Sequence, residues 1–106
     1  MPVAPKFARD AAKKALKERE ELPASRQAGT RVGLARANQL ANGDNLSLDT
    51  LKRMVSFIAR HKQNYRDAKA KGLDNKTSKV IQAMNLWGSV RAQSWAQEQI
   101  KRLTSP

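Results

Sequence analysis

Between Lys52 and Lys71 the sequence sets down seven cations, Lys52, Arg53, Arg60, Lys62, Arg66, Lys69 and Lys71, with His61 among them. Cations at this density do one kind of chemistry well: they neutralise oxyanions, phosphate above all, through charge-assisted hydrogen bonds. Lys62, Arg66, Lys69 and Lys71 form the most continuous run, and a bound phosphate is expected to touch it. Lys52, Arg53 and Ser56 are the side chains expected at base edges if the segment from Asp49 to Arg60 enters a major groove. His61 lies where the apolar and cationic stripes meet. It either contacts phosphate or is partly buried and hydrogen-bonded near a helix end.

Other reaction chemistries find no support. One histidine and no nucleophile-elbow pattern give no Ser, His and Asp constellation, and no glycine-rich phosphate loop occurs. The expectation is a protein that is not an enzyme, with no catalytic residues. The chain has no cysteine, which excludes disulfides and leaves zinc with a single histidine as its soft ligand. Asp44 and Asp49 flank a turn but lack the alternating oxygen ligands of a calcium loop. No metal site and no cofactor are expected.

Placing the cations requires a helix, and the stretch from Gly33 to Lys62 supplies the clearest signals. Leu34, Ala37, Leu40 and Ala41 recur at helical spacing and stop at Asn42-Gly43. The next helix starts with Ser47 as N-cap, Asp49 in its first turn, and Leu46 placed to staple against Leu51. Leu48, Leu51, Val55 and Ile58, with Met54 and Phe57, make its apolar face. Lys52, Arg53, Ser56 and Arg60 lie opposite. This resembles a helix-turn-helix DNA reader, although the connection from Asn42 to Leu46 exceeds the about three to four residues of that turn. An ordinary helical hairpin with a solvated basic face has the same pattern.

The remaining chain reads as support. Residues 1–5 form a flexible arm. Residues 6–22 are a helix with small apolar residues on one stripe, Phe7, Ala11 and Ala15 beside Ala8, Ala12 and Leu16, which lets another helix approach closely. Lys14 with Glu18 and Lys17 with Glu21 are its expected local pairs. Helices follow at 31–41, 48–70, 78–87 and 90–103, with Thr30 and Ser89 as N-cap candidates and Gly72 ending the third. Trp87 and Trp95 continue the apolar faces and belong to the core or to a lid over the hairpin. The fold class is all-α: a single small domain, 1–106, of four to five helices with a helix-turn-helix-like central hairpin.

Composition points the same way. A chain of 106 residues with 40% apolar content supports one modest core. Against 9 acidic residues, 21 Lys and Arg give a net charge of +12, which favours polyanions. DNA or RNA is the first partner class, and an acidic protein surface the second. An anionic membrane ranks third. Aromatic residues are only 5% of the chain, which argues against a single-strand binder built on stacking platforms. No long apolar run and no hydrophobic signal region in MPVAPKFARD are present, so the chain reads as soluble, with no membrane partner.

Four segments, RDAAKKALKERE, GTRVGLARANQLANGDNLS, TLKRMVSFIARH and NLWGSVRAQSWA, resemble in order and spacing a small helical domain of tailed-bacteriophage and prophage proteins. That domain stands alone or is appended to head or capsid-maturation proteins, and the resemblance spans Arg9 to Leu103. It differs where ARH runs into Lys62, Gln63 and Asn64 instead of an acidic residue, and where Gly88-Ser89 replaces a double glycine. The resemblance implies a phage origin, an all-helical fold and action in the host cytoplasm or the virion. It assigns no activity. The leading expectation is a basic phage protein that binds nucleic acid, duplex DNA first, through Lys52, Arg53, Ser56, Arg60, Lys62, Arg66, Lys69 and Lys71. The alternative is a non-enzymatic interaction module whose basic face docks on an acidic surface of a capsid, packaging or host protein.

Overall fold

The computed structural model describes residues 2–105, and all of its regular structure among these residues is helical apart from one isolated bridge between Val3 and Asn45. The helices are α1 (Lys6–Glu20), α2 (Arg31–Asn42), α3 (Leu48–Ala70), α4 (Lys79–Leu86) and α5 (Ala92–Thr104), with a short 3-10 turn at Ala24–Arg26. The capping signals explain most boundaries. Thr30 Oγ1 accepts from the Gly33 amide, Ser47 Oγ from Thr50 and Ser78 Oγ from Ile81, which satisfies helix-start donors that have no partner within the helix. Gly43, at φ +71, closes α2 in the left-handed conformation that glycine adopts without a Cβ penalty.

Two boundaries differ from expectation by two residues, and four others by one. Ser89 does not cap α5. It takes φ +79 and gives its amide to the Met84 carbonyl at 3.1 Å, so Gly88 and Ser89 together close α4. α5 begins at Ala92, after Arg91, without a side-chain cap. α1 ends at Glu20 because the approach to Pro23 leaves the helix early.

The segment expected to be a free arm is pinned. The Leu46 amide donates to the Pro2 carbonyl at 2.8 Å, Val3 bridges to Asn45, and Ala4 is buried. Burial of Ala4 and these backbone bonds hold the segment against the turn between α2 and α3. Met1, the first residue of that expected arm, and Pro106 lie outside the described residues.

α3, at about 1.5 Å per residue, is about 34 Å long, the longest helix in a molecule of 46 × 26 × 21 Å. It packs chiefly on α5 and then on α4, while α1 packs on α2 and α4. α2 and α3 therefore follow one another as helix, turn and helix, yet each has a different main neighbour, α1 for α2 and α5 for α3. α4, the shortest helix, touches α1, α2 and α3. Leu40, Leu46, Leu51, Met54, Ile58, Met84 and Leu86 fill the centre, joined by Trp87. Leu46 and Leu51 are both in this core, as a staple across the α3 start requires.

Small residues set the closest approach. A Cβ on Gly88 would meet the Ala8 and Ala92 methyls at 3.2 and 3.3 Å, so α1, α5 and the end of α4 converge where only glycine fits.

One polar network is buried. Gln82, with no exposed surface, accepts from the Ala28 amide at 2.8 Å and donates to the carbonyls of Asn75 and Arg26. Asn75 donates to Glu18 and accepts from Asn85. Glu18 and Glu21 thus pair across the fold instead of within α1. Glu21 meets Lys76 at 2.8 Å, because the turn after α3 folds back onto the end of α1.

Candidate nucleic-acid interface

The cations of α3 do not form one surface. At about 100° per residue, Lys52, Ser56 and Arg60 make one stripe and Lys62, Arg66 and Lys69 another, about 110° round the helix. The apolar face between Leu51 and Ile58 fixes this rotation by burying itself against α4 and α5.

Lys52, Arg53, Ser56 and Arg60 come together on the wall of an open cleft of about 540 Å³, completed by Thr30, Val32, Phe57, His61 and Trp87. Asp49 accepts from Arg53 Nε at 2.8 Å, one turn back along α3 and exposed. Thr30 and Val32 belong to the start of α2, where the first backbone N–H groups lack intrahelical acceptors. The floor is aromatic: the Phe57 and Trp87 rings stack with centroids 4.6 Å apart and 11° between planes. His61 is half-buried and lies against Phe57 at 4.4 Å. Its ring is held by this contact, and no hydrogen bond to it occurs among the described residues.

The rest of the expected contact set is dispersed. Lys62 is half-buried and its ammonium is hydrogen-bonded to Gln93 of α5, which turns it away from the cleft. Lys69 borders a shallow depression with Lys14, Glu18 and Asp74, where carboxylates share its surroundings. Arg66 is exposed between them, and Lys71 is exposed just past the end of α3, about 16 Å beyond Arg60 along the axis.

Arg36 was not singled out in the sequence, where it reads as one more cation on a short amphipathic helix. It is buried at 8% exposure, with its guanidinium 5.3 Å from the Trp87 ring centroid and Nη1 bonded to Gln39 and to Thr50 Oγ1. Its Nε has no partner among the described residues. Burial pulls its pKa below the usual arginine range, repulsion from Arg53 adds to this, and Asp49 opposes it. A buried cation therefore lies against the Trp87 ring that lines the cleft.

Among the described residues no group of His, Asp and Glu side chains is arranged to hold a metal ion. No helix among them is long and apolar enough to cross a membrane. Comparisons with protein-family models, with curated proteins and with solved structures find no match to this chain.

Proposed function

We propose that this is a non-enzymatic nucleic-acid-binding protein of bacteriophage or prophage origin, acting in the host cytoplasm or the virion. It holds duplex DNA by its phosphates through Lys52, Arg53 and Arg60, with Ser56 as a neutral donor. Lys71 extends this grip past the end of α3, and Lys62, Arg66 and Lys69, on the other stripe, contribute less. The carrying observation is the cleft wall. Three cations and two hydroxyls line it, and none of the chain's 9 acidic residues does. Such a wall attracts polyanions along the field set by the +12 charge.

Binding of the purified protein to a labelled random-sequence duplex over a salt series tests this. Each neutralised phosphate contributes about −0.9 to the slope of log K against log salt, so the expected slope is about −3 or steeper. Absence of binding at low salt refutes the reading and assigns the charge to an acidic protein partner.

A further inference from the structure

Three neighbouring depressions share lining residues. The cleft of Lys52, Arg53 and Arg60 shares Thr30, Phe57, His61 and Trp87 with a second depression of about 450 Å³, which is walled by Val80, Ala83 and Leu86. The second shares Lys79 with a third, polar depression lined by Arg26, Lys76, Thr77 and Ser78. The order along the track is thus cationic, aromatic and apolar, then cationic again. Six cations line it and no carboxylate does. Two of the six are already paired, Lys76 with Glu21 and Arg53 with Asp49, each at 2.8 Å.

A duplex has no use for the middle of this track, because its bases are paired and stacked inside the helix. An unpaired strand presents the matching sequence of groups: phosphate, flat apolar base, phosphate. Grooves for unpaired strands combine a cationic path for the backbone with aromatic side chains for the bases. Here the half-buried rings of Phe57 and His61 line the apolar depression between the two cationic ends of such a path.

We propose that this track holds a short unpaired strand, with phosphates at the Lys52/Arg60 and Arg26/Lys79 ends and a base in the apolar depression between them, against Phe57 and His61. The proposal rests on the nucleic-acid reading of the first cleft. It makes the preferred target a duplex end or junction bearing a single-stranded tail.

The test is fluorescence anisotropy with a short blunt duplex, the same duplex carrying a short unpaired tail, and the same tail with its bases replaced by abasic sites. The tailed duplex binds about 5- to 150-fold tighter than the blunt one, the range of one stacked base, and the abasic tail loses most of that gain. The double variant R26E/K79E, altered at two exposed side chains, removes the gain, while blunt-duplex affinity falls only by the smaller amount that a net charge lowered from +12 brings. Ala83→Trp, which fills the apolar section, also removes the gain. Equal affinity for blunt and tailed duplexes overturns the track while the duplex reading stands. Equal loss for both DNAs in R26E/K79E also overturns it, because those cations then belong to the duplex surface. No binding of any DNA overturns both readings.

Discussion

The double variant Lys52→Ala/Arg60→Ala removes two cations from the cleft wall and leaves the core untouched, since both are exposed. Eight residues separate them on α3, about 12 Å along the axis, so they grip different phosphates and their contributions add. Each lost contact takes about 0.9 from the magnitude of the salt slope, so the double variant loses about 1.8. In counterion terms that is about 8-fold per contact at 0.1 M salt, or about 60-fold in all. Lys69→Ala is the matched control. It removes one exposed cation on the other stripe, beside Glu18 and Asp74, and is expected to change the slope by less than about half of one contact. The assay is duplex affinity at four or more salt concentrations, with circular dichroism to show that the helices persist. An unchanged slope in the double variant, with a drop in Lys69→Ala, refutes the assignment to the cleft.

Gln82→Leu should lower stability by about 2 to 4 kcal/mol, because it strands the buried Ala28 amide and the carbonyls of Asn75 and Arg26 while gaining some apolar burial. Urea unfolding measures this, and a loss under about 1 kcal/mol contradicts the network's role. Ser89→Gly should raise stability by up to about 1 kcal/mol, since it relieves a left-handed residue at φ +79, less the entropy that glycine loses on folding. A lower Tm would show that the Ser89 side chain does more than occupy a turn. Asp74 accepts from the Thr77 hydroxyl and from the Lys76 and Thr77 amides, and these bonds hold its pKa below the usual aspartate value. Its stabilising contribution is therefore present above about pH 4 and is lost as pH falls through the depressed folded value. Asp74→Ala should flatten that acid limb of the stability profile, and an unaltered limb contradicts the assignment.

Local signals were legible in the residues. Ser47, Asp49 and Gly43 fixed the start of α3 and the end of α2, because capping is settled within four residues of chain. The apolar period placed Trp87 in the core. Long-range pairings were not legible. Nothing near Glu18 or Glu21 announces Asn75 or Lys76, 57 and 55 residues away, and the local partners Lys14 and Lys17 were equally good choices on helix spacing. The split of the α3 cations is implicit in their spacing. What the spacing lacks is the neighbour that each stripe faces: Gln93 for Lys62, and the start of α2 for Lys52 and Arg60. Arg36 was invisible for the same reason, since its burial depends on Trp87 coming across from the end of α4.

Arg36 also links the fold to its ligand. The folded chain confines a guanidinium whose Nε has no partner among the described residues, against the Trp87 ring and within range of Arg53. Rim lysines are open to solvent, whereas this charge is buried against a ring that lines the cleft. Any anion seated there supplies from outside the counter-charge missing inside. Resistance to heating then becomes a gauge of occupancy, with the empty protein as the softer form.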